Sequence, residues 1–389
     1  MDTEYGAWTR KVAGRMPQNT LANQGRKRDT SLDIIKGLDI LLVVYVHTLP
    51  FCRDFIHVLA IPLFLLVSGY CWHAKISSWK DFGRFTLKRF KALYIPFVLY
   101  NGSYALLGGV FLKLGFYTND PSLFEIARDW PIPQSLYNLN GVGDYVRKIL
   151  KILIMQDTTQ IGTATWFLII LLAISMTHGL LELLSSRLKL SGKLWIPLAD
   201  LVMMAVLSQV YIARDHSQVY LKCFFCCYFS FLIGVFLQRI RWKHFYSWWM
   251  GLLAFGGVLL VSVFYHYELS AAIISEVPVY LFSCVCAWVL AKSLANGITH
   301  VRWLSDSLSW IGRHTIPVMC MHVLFFKLAA LLYIRLYDLP RVYLAAWHTI
   351  LDTSQLWKLL FAAVGAGGSL LTALLWYRLS DAIRNARKA

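Results

Sequence analysis

Of the chain's 389 residues, 58% are hydrophobic and only 15% charged, and its mean hydropathy is +0.54. Soluble globular chains run nearer to about 45–50% apolar and about 25% charged, so a water-soluble domain array is excluded and an all-α polytopic membrane protein is expected. In this class the net charge of +17 is first a topology signal; no nucleic-acid partner is inferred from it.

Residues 1–30 carry six Lys or Arg and no apolar core. They predict a disordered cytosolic tail and no cleavable signal peptide. Ten apolar runs follow, at about 32–50, 54–73, 92–115, 164–184, 194–213, 219–238, 245–265, 271–292, 315–335 and 357–379, each long enough to cross roughly 30 Å of hydrocarbon. With the N-terminus inside, the intervening inner segments and inner ends hold 26 of the 38 Lys and Arg. That bias predicts ten spans with both termini cytosolic, in a multi-pass domain over 31–380 with a tail at 381–389. The long connection at 116–163, with Glu125 and Asp129 in "NDPSLFEIARDWPIPQ", is expected to lie outside. Loops of this length are usually functional or disordered.

The first run, "DIIKGLDILLVVYVH", is costly for a spanning helix because it contains Asp33, Lys36 and Asp39 and ends at His47. Lys36 and His47 are 11 residues apart, just over three turns. They share one face, roughly 16 Å apart along the axis. Asp33 and Asp39, each three residues from Lys36, are both expected to pair with it. A structural ion pair with a snorkelling Lys36 explains the first half of the helix as well as a functional cation does. For His47, position alone favours a satisfied structural histidine.

The second run ends in "IPLFLLVSGYCW", which brings Ser68 and Gly69 to the depth of Lys36; Gly69 permits close approach of a helix or a ligand. "LKRFKALYIPF" then crosses the interface with Lys88, Arg89 and Lys91. These suit lipid-phosphate anchoring and also docking of a phosphorylated cofactor. Trp166, in "TATWFLIILL", is placed near the outer end of the fourth span, and His322, in "WIGRHTIPVMCMH", about two turns into the ninth from its cytosolic end. The "CFFCC" stretch at 223–227 has no companion ligands nearby, so no metal is expected, and all the cysteines but Cys52 are expected to be buried thiols.

K-x10-H in the first helix, "PLFLLVSGY", "KRFKALYIP", "TATWFLIILL" and "WIGRHTIPVMCMH", in this order over residues 31–322, resemble the membrane-bound acyltransferase family 3. The resemblance implies transfer of an acyl group, most often acetyl from acetyl-CoA, to a hydroxyl of a cell-envelope glycan, and functional roles for Lys36 and His47. The family's R-x-x-R in the third helix is matched only at Arg89, because Ala92 stands at the second position with Lys91 beside it.

The expectation is an O-acetyltransferase of the bacterial inner (plasma) membrane. Acetyl-CoA would enter from the cytosol with its phosphates near Lys36, Lys88 and Arg89. His47 would be the base, with His322 as a second catalytic or acyl-carrying residue. Ser68 is the candidate acyl carrier beside the donor, and Trp166 would pack against the acceptor. Glu125 and Asp129 would join the substrate site and orient His47 if the outer loop folds inward, or else form a solvated loop face. The acceptor is a glycan or lipid-linked sugar, membrane lipid is the surrounding partner, and any acceptor-presenting envelope protein is a separate chain. A secondary transporter or flippase for a lipid-linked sugar is the alternative, because it too accounts for intramembrane charge.

Overall fold

The structure, a computed structural model, describes residues 29–119, 141–190, 195–213, 219–240, 243–266, 276–345, 348–350 and 354–386. The described residues hold helices and no strands. Each of the ten apolar runs coincides with helix. In chain order these are α1 (Thr30–Val46), α2 (Arg53–Tyr70), α3 (Trp79–Arg89), α4 (Ile95–Leu106), α5 (Gly108–Lys113), α6 (Val142–Leu153), α7 (Trp166–Arg187), α8 (Trp195–Ala213), α9 (Val219–Leu237), α10 (Trp248–Phe264), α11 (Val277–Ile298), α12 (Arg302–Arg313), α13 (Thr315–Leu336) and α14 (Gln355–Ala386).

Six of the helical segments, Arg53–Tyr70, Thr163–Arg187, Ile196–Ala213, Val277–Ile298, Thr315–Leu336 and Gln355–Ala386, are long and apolar enough to cross a membrane. The others fall short for local reasons. α1 has 17 residues and carries its charges within them. The third run is broken into α4 and α5, after a π-helical turn at Phe90–Tyr94; such turns widen a helix locally. Trp248–Phe264 has 17 residues, and α9, with 19, is apolar over Leu221–Leu237. The last helix does not stop at the expected end of the domain but continues to Ala386.

Side-chain size sets the closest crossings. A Cβ at Gly69 of α2 would overlap the carbonyl oxygen of Phe231 in α9, and one at Gly234 would overlap that of Leu66. The same holds for α1 and α12, where a Cβ at Gly37 would strike the Leu308 carbonyl and one at Gly312 that of Asp33. Glycine at both crossings lets backbones touch, the usual device where helices have no hydrophobic drive to associate. Gly69 therefore serves helix packing. Around α2 and α9 the bundle is filled by α8, α10 and α11, while α13 packs along α14.

The start of the fourth run is fixed by a buried polar knot. Asn101 of α4 receives the Thr159 amide at 2.9 Å on its side-chain oxygen, and its amide nitrogen donates to Thr165 Oγ1 at 2.8 Å. Asn101 and Thr165 are fully buried, so each hydrogen bond also avoids the desolvation cost of an unpaired amide or hydroxyl. Part of the long connection is thus ordered: α6 is joined to α4's approach by Tyr94, whose hydroxyl donates to the Leu153 carbonyl at 2.8 Å. Glu125 and Asp129 lie outside the described residues. The "CFFCC" cysteines are buried free thiols, whereas Cys71, expected to be buried, is exposed in the turn after α2.

Candidate active site

His47 sits in the turn that closes α1, and its Nδ1 lies 2.6 Å from the Val43 carbonyl oxygen. A carbonyl only accepts, so Nδ1 carries the proton and the Nε2 lone pair is left to face outward from the helix. His322, in the second turn of α13, repeats the arrangement with Nδ1 2.8 Å from the Val318 carbonyl. It is fully buried, and its Nε2 has no hydrogen-bond partner among the described residues. The two rings meet with centroids 5.0 Å apart. With Nδ1 of each ring engaged, the two Nε2 atoms are acceptors, and a hydroxyl is a donor that suits them.

His322 lies two turns into α13, where the sequence places it, and the Gly37–Gly312 crossing sets it level with His47. α1 and the α12–α13 pair leave that contact in the same direction. Ten residues on, about 15 Å along each helix, they reach His47 and His322.

A third imidazole joins them that no motif pointed to. His348, between α13 and α14, has its ring centroid 4.8 Å from that of His47 at 61°. Its backbone is left-handed (φ 54°) and its side chain buried. Burial, reinforced by His47, His322 and Lys327 nearby, pushes its pKa well below the ordinary 6.5. The preceding segment is pinned by the fully buried Lys327, whose ammonium donates to the Leu344 carbonyl at 3.0 Å. Lys358 of α14 donates to the Leu49 carbonyl at 2.7 Å, closing the same end over the turn that carries His47. Among the described residues no three His, Cys, Asp or Glu side chains are grouped to hold a metal ion.

At the other end of α1, Lys36 is 31% exposed and its ammonium lies 3.8 Å from an Asp33 oxygen. The expected second partner is not one. Asp39 is fully buried, and neither oxygen has a hydrogen-bond partner among the described residues. Helical side chains lean toward the N-terminus, which carries Lys36 toward the turn of Asp33 and away from that of Asp39. A second cation stands at this end that the sequence did not single out: Lys292 of α11 is buried, donates to Ser31 Oγ of α1, and lies 5.9 Å over the Tyr70 ring. Between Lys36 and His47 the shared stripe is occupied by Ile40 and Val43. Both are buried, and Ile40 exposes no surface. That stripe is packed in this structure.

The remaining predicted residues are dispersed. The Ser68 hydroxyl donates back to the Phe64 carbonyl at 2.7 Å. Lys88 is exposed. Arg89 stacks its guanidinium 5.3 Å from the Phe85 ring centre and 5.9 Å from that of Trp72. Trp166 opens α7, half-buried, with its ring against Phe167. Among the described residues of the predicted set, His47 and His322 come into ring contact.

A family model for an acyltransferase domain matches residues 29–378, nearly the whole described chain. The chain belongs to acyltransferase family 3. No curated protein and no solved structure matches it. Family membership together with the apolar helices makes it a multi-pass membrane acyltransferase, so the paired imidazoles are to be read against acyl transfer.

Proposed function

We propose that the protein is an O-acyltransferase that moves an acyl group, acetyl in this reading, from cytosolic acyl-CoA to a hydroxyl of a glycan at the far side of the plasma membrane. The observation that carries this reading is the pair of Nε2 lone pairs on His47 and His322 at the end of α1 opposite Lys36. His47 Nε2 takes the hydroxyl proton as the oxygen attacks the thioester carbonyl. The tetrahedral oxyanion collapses, the C–S bond breaks, an ester forms, and the departing thiolate takes the proton back from His47. No net proton is lost, as general-base catalysis of this exchange requires. His322 accepts from a second hydroxyl of the same sugar and orients it.

In this reading ten crossings place both termini in the cytosol. The donor's phosphates meet Lys36 and Lys292, with Lys88 as a further exposed cation. Arg89, stacked on Trp72 and Phe85, borders that region. Trp166 supplies an aromatic face for the sugar. Because the face of α1 is closed at Ile40, donor binding must open the packing there for the pantetheine arm to reach His47. An envelope protein that presents the acceptor would be a separate chain.

The test is purified full-length protein with acetyl-CoA labelled in the acetyl group and candidate glycans. The reading expects labelled ester on the glycan, dependent on both substrates. Counterflow of a lipid-linked sugar in proteoliposomes with no labelled ester formed would instead establish a transporter.

A further inference from the structure

A cavity of about 500 Å³ opens at the opposite end of the bundle from the histidines. Its walls are the 74–77 segment, the last three turns of α7, the start of α8 and the end of α9. α2, which starts beside the turn of His47 and ends at Tyr70 just before the 74–77 segment, spans about 27 Å. The cavity is therefore about one helix length from the reacting groups, and the mechanism above makes no use of it.

Its polar lining is ordered by depth. At the floor, Glu182 accepts from the Trp72 indole N–H at 2.9 Å through Oε1 and is also stabilised by the Ile76 backbone and the Arg239 charge, while Oε2 is buried with no hydrogen bond of good geometry among the described residues. The buried His178 stands beside it, with Nδ1 3.1 Å from the Tyr228 hydroxyl and its ring 4.8 Å from Trp72. Asp200 of α8 adds a second, half-buried carboxylate. Lys75 and Arg239, both exposed, stand on the rim. Beyond them α8 turns Leu198, Val202 and Val206 outward as an exposed apolar face.

Carboxylates below and cations above suit a ligand of the opposite polarity: a hydrogen-bond-donating cation that goes in first and an anion that stays at the rim. The two carboxylates and the two cations balance, so a ligand without net charge is matched and a purely anionic one is not, since it would leave Glu182 Oε2 buried and unsatisfied. An ammonium brings three N–H donors, whereas a quaternary ammonium brings none. An apolar helix face leading away from the rim is suited to acyl chains. We infer that this cavity binds the headgroup of a phosphatidylethanolamine-type lipid, with the ammonium at Glu182 and Asp200, the phosphodiester at Lys75 and Arg239, and the chains along α8. The inference needs the chain to sit in a bilayer and is independent of which acyl group or acceptor it uses.

The experiment is native mass spectrometry of the purified full chain in detergent, with dioleoyl phosphatidylethanolamine, phosphatidylglycerol or phosphatidylcholine added at equal concentration. The expected result is retention of the ethanolamine lipid over the other two, with Glu182→Gln and Arg239→Gln each weakening it about tenfold, as for loss of one hydrogen bond to a charged group. The Glu182→Gln change keeps a carbonyl for the Trp72 indole, and the Arg239→Gln change alters only an exposed side chain, so the second variant decides the matter should the first not fold. Equal retention of the three lipids, or ethanolamine-lipid retention unchanged in Arg239→Gln, would overturn the inference. Soluble glycerophosphoethanolamine at the same concentration should not displace the lipid; displacement would show that the site takes the free headgroup, and the lipid assignment would be lost.

Discussion

His47 and His322 face each other with ring centroids 5.0 Å apart, each ten residues beyond a glycine of one backbone crossing. The crossing fixes the register of two parallel helices, and the register brings two imidazoles with the same tautomer to one place. The meeting of the two rings therefore descends from Gly37 and Gly312, while their shared tautomer is set by the Val43 and Val318 carbonyls.

That dependence makes the glycines testable. Gly312→Ala puts a methyl group into the Asp33 carbonyl, and over-packing of this kind costs about 1–3 kcal/mol. Thermal unfolding in detergent should register the loss, and acyl transfer should fall with it because the imidazoles move apart. Gly83→Ala is the control. It lies in α3 with open space around a Cβ, and its midpoint should stay or rise by up to about 1 kcal/mol in helix propensity.

Asp39 is a buried carboxyl outside any ion pair with Lys36. Replacing it with Asn removes the ionisable group at nearly constant volume. Thermal stability should be unchanged or higher. A drop of more than about 2 kcal/mol would mean that the carboxylate has a partner to lose.

His348 predicts a pH dependence. Its folded pKa lies below the ordinary 6.5 because the ring is buried beside His47, His322 and Lys327, so below about pH 6.5 the unfolded chain binds a proton that the folded one does not. Stability then falls as pH drops through that value, by at most about 1.4 kcal/mol per pH unit for one group. His348→Asn tolerates the left-handed backbone and should flatten this slope in unfolding midpoints recorded between pH 5 and 7. An identical slope in the variant would assign the acid sensitivity elsewhere.

Much of this was legible in the sequence, and the rest was hidden for physical reasons. Apolar run length located every long helix, and the K-x10-H spacing marked α1. The Gly-x9-His spacing occurs in both "GLDILLVVYVH" and "GRHTIPVMCMH", a signal that would have placed His322 beside His47, but depth counted from the helix start obscured it. His348 had no periodicity to betray it, because a loop residue with a left-handed backbone reaches the site only through tertiary packing. Lys292 stands at the last residue of the eighth apolar run, and it is the continuation of α11 through it to Ile298 that buries it in the bundle. Asp39 does not pair with Lys36 because helical spacing gives proximity without the direction in which a lysine leans.

The most direct test of the central claim is the rate of acyl transfer from labelled acyl-CoA by His47→Gln, His322→Gln and the double variant, each confirmed folded. Groups that act as one unit are not additive. The account predicts that His47→Gln loses about 10²–10⁴-fold, that His322→Gln loses a smaller factor, and that the double variant is little worse than His47→Gln alone. Transfer at the unmodified rate in His47→Gln, with the fold intact, would contradict it.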